Sequence, residues 1–442
     1  MARDRQINSR IYFPVVLTIL AVIIISVYLI AFYHLTLPPN SPDTSLDSLD
    51  SSLAANIAVD LHYDIQVESL LGVEPLLLDG SERMQKWKHG QISWPPIKEY
   101  KESEYPVYKS LLNIINDWNP DNPDPPTNFR ETLQHFNFSD PRERKLAAAY
   151  RDAEIPFKLY DVPFVSYASH KWSDEYLSFE LSKSTAAKHV EKSDSNHFMY
   201  WAMKSWKQKR GKVFEPPTEI VTDSMDFKTW VALARKADQE RLAYDKNMAS
   251  AHYYFMTNAI QGDRDNSFVA KDLPVFSSGT KNFFIPKPQF NKGIQCRFGM
   301  RGIIAEAHYD AGRNMIAMLK GAKRYVLTSP RGCKQTQLIS DPDHPSFRHS
   351  ELDWSNATVA REHHFDEVDA IDTIVREGEV LYVPSFWIHY IISLEYTIQC
   401  NSRFGSPEDK SLFEPIKECF GWSDDEPPKA QGKLRKRAKA GV

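Results

Sequence analysis

Two metal-binding side chains stand two residues apart in His308-Tyr309-Asp310, just before an apolar run that ends in Lys320-Gly321-Ala322-Lys323-Arg324. On a β-strand, side chains at i and i+2 point to one face, so His308 and Asp310 share a side and Tyr309 turns away. Two neutral imidazoles and one carboxylate on a single face, with the opposite face open, are the donor set of non-haem Fe(II) centres. The third ligand expected here, His389, lies far downstream, after the strand-like Glu379–Pro384. It reaches the first pair only if the sheet curls into a barrel. The chain has 24 Phe, 20 Tyr and 10 Trp, with Gly low at 17 and Pro high at 28, which suits a thick β core rather than a helical bundle.

An H-x-D triplet alone is weak, since His308 bonded to Asp310 in a core, or His389 in a surface loop, reads equally well. The conjunction with basic and amide groups makes the difference. Lys323 facing a barrel interior meets a carboxylate through a charge-assisted bond. Lys320, three residues earlier, then faces out unless Gly321 breaks the count. Asn314 and Asn401 are candidates to bond a carboxylate, although each alone also reads as a strand-end or turn residue. His363 and His364 in a polar loop, and His344 and His349 near Pro345, are left aside.

Ile11 to Tyr33 carries no charged side chain. As a helix it would be about 34 Å long, against about 30 Å of bilayer hydrocarbon. It lacks the small-residue cleavage pattern of a secretory signal, so an uncleaved signal anchor is favoured. Arg3, Arg5 and Arg10 precede it and no Lys or Arg follows until Arg83. That bias puts residues 1–10 in the cytosol and the bulk of the chain in the lumen of the endoplasmic reticulum or Golgi, as a single-pass type II membrane protein. The sequons at Asn137 and Asn356 are compatible with this.

Residues 34–55 read as a Pro/Ser/Asp-rich stem and 56–154 as a helical accessory region, with a helix after Asp140-Pro141. Residues 155–420 read as the main β domain, with its core at 293–405, and 421–442 as a basic disordered tail. Strands are expected at 155–160, 163–167, 251–259, 293–301, 379–384 and 396–404, and helices at 173–181 and 227–237. The net charge of −4 gives no reason to expect a nucleic-acid partner. Cys296, Cys333, Cys400 and Cys419 are too few and scattered for a disulfide scaffold or a zinc knuckle, and buried free thiols are favoured over disulfides.

These residues resemble the JmjC-type, cupin-fold Fe(II)/2-oxoglutarate oxygenases, particularly the branch of the asparaginyl hydroxylase that inhibits hypoxia-inducible factor. The matching pieces are AHYD at 307–310, Asn314, KGAKRY at 320–325, HPSFRHSELDW at 344–354, GEVLYVPSFWIH at 378–389 and Asn401. The resemblance implies a double-stranded β-helix, mainly β with flanking helices, here preceded by one transmembrane helix. It implies an iron triad of His308, Asp310 and His389. It also implies a 2-oxoglutarate pocket holding Lys323 on the distal carboxylate, with Asn314 and Asn401 alongside. Tyr382, Pro384 and Trp387 match structural positions, whereas Ala305 replaces a hydroxyl-bearing co-substrate contact.

The expected activity is an Fe(II)- and 2-oxoglutarate-dependent dioxygenase that hydroxylates a side chain of a protein or peptide substrate in the secretory lumen. The bilayer would be a second partner, through residues 11–33. A catalytically inactive cupin-fold binding module is the alternative. A glycosyltransferase would fit an anchor and stem but lacks a D-x-D motif in a strand context.

Overall fold

The computed structural model describes residues 108–131, 133–183, 189–201, 214, 220–239, 251–259, 267–277, 279–407 and 410–422. Residues 11–33, the stem at 34–55 and most of the basic tail lie outside them. Among the described residues no helix is long and apolar enough to cross a membrane.

The strands are β1 (Lys109–Ser110), β2 (His135–Asn137), β3 (Phe157–Tyr160), β4 (His189–Ser193), β5 (His197–Phe198), β6 (Ile220–Ser224), β7 (His252–Ala259) and β8 (Asn291–Gly299). They continue with β9 (Ile304–Tyr309), β10 (Asn314–Lys320), β11 (Ala322–Thr328), β12 (Asp369–Arg376), β13 (Val380–Val383), β14 (Ile388–Ser393) and β15 (Thr397–Phe404). They form a six-stranded sheet, β1-β12-β11-β14-β9-β5, and a nine-stranded sheet, β2-β3-β13-β10-β15-β8-β7-β4-β6. From β8 onward successive strands change sheet, except that β11 and β12 are antiparallel neighbours in the six-stranded sheet, an arrangement consistent with a double-stranded β-helix. The crossing from β10 to β11 is made by Gly321 alone, at φ +68°, where a Cβ would sit 2.1 Å from the Tyr396 carbonyl oxygen. Only glycine fits so tight a corner. It places Lys320 in an ion pair with Glu377 and turns Lys323 into the interior.

Alternation divides each strand between two cores. Inside the barrel, Ile316, Met318, Tyr325, Leu327, Ile371, Leu381, Val383 and Trp387 pack together. Behind the six-stranded sheet, Tyr309, Val326, Ile388, Tyr390 and Trp354 pack under the helix Leu111–Asp117. Arg324 faces this second core with no exposed surface. It forms two bonds to Asp372, at 2.8 and 2.7 Å, and another to the Trp118 carbonyl. On the outer face of the nine-stranded sheet the helix Phe227–Gln239 packs Phe227 and Trp230 on Phe255 and Phe298.

Three expectations need correction. Pro163–Lys171 is a helix, not a strand at 163–167. Pro163 opens it, and Val165, Ala168 and Ser169 bury at helical spacing. The described part of 56–154 holds helices Leu111–Asp117 and Pro141–Asp152, the latter capped by Asp140. It also contributes β1 and β2 to the two sheets and is therefore stitched into the barrel. Finally, the cysteines are not free: Cys296 bonds Cys400 and Cys333 bonds Cys419. Cys296 and Cys400 are direct partners across β8 and β15, with Cα atoms 4.0 Å apart. Their separation of 104 residues left no spacing signal in the sequence.

Candidate metal centre

His308 lies one residue before the end of β9, and His389 one residue into β14. The two are cross-strand partners, with ring centroids 4.3 Å apart. Register is what brings residues so distant in the chain together. Between His308 and Ala305 the strand β9 spends three residues against two on β14, from His389 to Ile391. This bulge lets both Ala305 and His308 face inward although they are three apart. Asp310 lies just beyond the strand end, where its carbonyl accepts from the Phe386 N–H. Ligand atoms of His308, Asp310 and His389 all lie within 4.8 Å of one another.

The ring nitrogens are already sorted. His308 Nδ1 bonds the Glu306 carbonyl at 2.7 Å and His389 Nδ1 bonds the Trp387 carbonyl at 2.9 Å. A carbonyl only accepts, so each Nδ1 carries the proton and each Nε2 is left with its lone pair. Burial holds both imidazoles below their usual pKa, His308 well below, with His389 and His349 adding to the effect there. Burial alone would raise Asp310, but Arg403, followed by the two imidazoles, outweighs it and keeps the carboxyl ionised. Two neutral imidazoles and one carboxylate fit a divalent metal of the Fe(II) type.

Around the triad the amides form a chain. Asn401 Nδ2 donates to Asn314 Oδ1 at 2.9 Å, and Asn314 Nδ2 donates to Asp310 Oδ2 at 3.3 Å. Arg403 Nη2 meets the same Asp310 oxygen at 2.7 Å. Lys323 is buried lower in the barrel, its Nζ 3.4 Å from the Tyr254 hydroxyl. Burial, and then Arg297, push its pKa down to about 7. The barrel thus brings His308, Asp310, His389, Asn314 and Asn401 into one bonded cluster, while Lys323 faces the same interior beside Tyr254.

Four neighbours were missed. His349, left aside as one of the histidines near Pro345, forms a β-bridge with His308 and stacks on its ring. Burial and the adjacent Arg348 lower its pKa to about 4. It lies within the 344–354 segment already matched by resemblance, which was the available signal. Arg403 follows Asn401 by two on β15, so strand alternation would have placed both on one face. Tyr254 and Arg297 sit on β7 and β8, where neither residue type stood out.

The double-stranded β-helix and its His-Asp-His triad define the cupin class with a metal-binding mouth. A family profile described as a cupin-like domain matches residues 144–410, more than half of the chain, and the chain belongs to this cupin-like, JmjC-type oxygenase family. Human tRNA wybutosine-synthesizing protein 5 is 25% identical over 150 residues, or 34% of this chain and 45% of its own. Lysine-specific demethylase JMJ30 of Arabidopsis thaliana is 27% identical over 120 residues, covering 27% and 28%. JmjC domain-containing protein D of Dictyostelium discoideum is 28% identical over 105 residues, covering 24% and 23%. The chain spans less than half the length of each of these relatives. The matches do not single out the asparaginyl-hydroxylase branch.

Proposed function

We propose that the protein is an Fe(II)- and 2-oxoglutarate-dependent dioxygenase that hydroxylates a side chain of a protein or peptide substrate. The observation that carries this is the triad itself, with its ligand atoms clustered and both Nδ1 atoms anchored to carbonyls so that two Nε2 lone pairs converge. When bound, Fe(II) supplies dioxygen activation coupled to oxidative decarboxylation of 2-oxoglutarate to succinate and CO₂. The chain's own part is to hold and orient. His308, Asp310 and His389 grip the metal, Arg403 and Asn314 steady the Asp310 carboxylate, and Lys323 takes the distal carboxylate of the co-substrate. The apolar barrel wall of Ile316, Leu327 and Trp387 keeps water from the reacting centre.

We place the catalytic domain in the secretory lumen, behind the apolar 11–33 segment. The Arg-rich flank of that segment supports this reading, as do the two disulfides, which persist in oxidising compartments. The relatives named for tRNA wybutosine synthesis favour a second reading, a nucleic-acid substrate, against which the net charge of −4 argues.

The test follows succinate from the purified full-length chain with Fe(II), ascorbate and 2-oxoglutarate. Slow turnover without added substrate, absent in Asp310→Ala, is the expected result. Equal rates in the two proteins would leave the inactive binding-module reading standing. Peptide and RNA libraries added to the active protein separate the two substrate classes.

A further inference from the structure

The resemblance assigns the distal carboxylate of the co-substrate to Lys323 alone, yet the barrel holds a second cation at the same depth. Arg297 on β8 is the direct partner of Gln399 on β15 and of Met256 on β7. Partners across antiparallel strands share a face. Gln399 faces inward, because its Oε1 accepts from the hydroxyl of Tyr325, a member of the inner core. Tyr254, two residues before Met256, shares that face and bonds Lys323. Arg297, Tyr254 and Lys323 therefore line one patch of the interior, below the Asn401–Asn314 pair.

Among the described residues Arg297 forms no ion pair. The hydrogen bond found for its guanidinium, at 3.3 Å, goes to the carbonyl of its own neighbour Cys296. Glu191 on β4 and Asp310 act on it only at longer range, and burial lowers its pKa first. Burial is what lowers the Lys323 pKa most, and repulsion by the nearby Arg297 adds to it. An arrangement that destabilises the empty barrel makes physical sense where an anion is to be received.

We propose that Arg297 is a second binding determinant for the co-substrate's distal carboxylate, which it shares with Lys323, so that the pocket selects dicarboxylates over monocarboxylates. This rests on the 2-oxoglutarate reading above. Lys323 supplies a point charge, while the guanidinium offers a planar fork matched to a carboxylate. Arg297 touches the end of the co-substrate remote from the metal and leaves the triad alone.

The experiment uses the full-length chain with Mn(II) in place of Fe(II). Binding of 2-oxoglutarate is compared with that of 2-oxopentanoate, which keeps the oxo-acid end but has no distal carboxylate. Arg297→Met should weaken 2-oxoglutarate about tenfold or more. It should change 2-oxopentanoate and Mn(II) affinity by less than about twofold, and Arg297→Lys should recover part of the loss. The ligand-free melting temperature of Arg297→Met should stay level or rise, because a half-buried cation that repels Lys323 is removed; a purely structural arginine would lower it. Unchanged 2-oxoglutarate affinity in Arg297→Met, or an equal loss for both acids, overturns the role of Arg297 while the oxygenase reading survives. Wild-type protein that fails to bind 2-oxoglutarate with Mn(II) overturns both.

Discussion

The imidazole of His308 lies face to face with that of His349, centroids 4.7 Å apart and planes inclined by 18°. His349 Nδ1 bonds the Ser346 carbonyl at 3.1 Å, so the ring that supports the ligand is itself fixed. Groups of this kind orient a ligand without touching the metal, and their loss typically weakens binding about 10–100-fold. His349→Ala is expected to lower Mn(II) affinity by about tenfold, while His349→Phe, which keeps a flat ring, loses less. Titration calorimetry on the two variants checks this, and equal losses would show that the nitrogen rather than the ring matters.

Lys323 gives a pH signature. Its pKa is about 7 in the folded chain, against about 10.4 for an ordinary unfolded lysine. Between those values the unfolded chain holds the extra proton, so this group makes stability rise with pH across the window. Below pH 7 both states are protonated and the burial penalty is fully present. Lys323→Met is expected to stabilise the ligand-free protein at pH 6–7 by about 2–5 kcal/mol. The gain should shrink as pH approaches 10, and denaturant unfolding at several pH values reads it directly. With 2-oxoglutarate the sign reverses, because the bound carboxylate favours the ammonium. Binding near pH 8 should then take up a proton, seen as a dependence of the calorimetric heat on buffer ionisation enthalpy.

The buried Arg324–Asp372 pair fastens the helix Leu111–Asp117 to the barrel. Arg324 also reaches the Trp118 carbonyl, and its guanidinium lies 4.0 Å from the Trp118 ring centroid. Asp372→Ala leaves that guanidinium buried without its carboxylate and should cost about 3–5 kcal/mol of stability. A loss below about 1 kcal/mol in chemical denaturation would mean that water reaches the arginine.

Thiol titration of the denatured chain should find none of its four cysteines free before reduction. Replacing both Cys296 and Cys400 by serine should cost about 2–4 kcal/mol. Detection of four free thiols in protein from its native compartment would contradict the pairing.

Part of the barrel was legible because its code is local: apolar or alternating runs marked β3, β7, β8, β13 and β15, and the i, i+2 spacing set His308 beside Asp310 on one face, while the closed barrel came from the resemblance. Register was not legible. The meeting of His389 with His308 was expected from the ligand set and the resemblance, but not their direct pairing across β14 and β9, and nothing along the chain announced that Cys296 would face Cys400 or that Arg297 would lie near Lys323. Those are relations between strands, fixed only when the two sheets close. Pro163–Lys171 misled for a different reason. Phe164, Val165 and Tyr167 are good strand formers taken one by one, but Pro163 opens a helix and packing on β10 completes it.

The odd residue in β9, between Ala305 and His308, has a consequence for how such a chain tolerates change. Deleting one position there would leave Ala305 and His308 two apart, the spacing that plain alternation puts on one face, so the imidazole would keep its inward aim and its pairing with His389. What such a shortened strand would lose is the local bend, and metal affinity in it would report the aim of the ring rather than its side of the sheet.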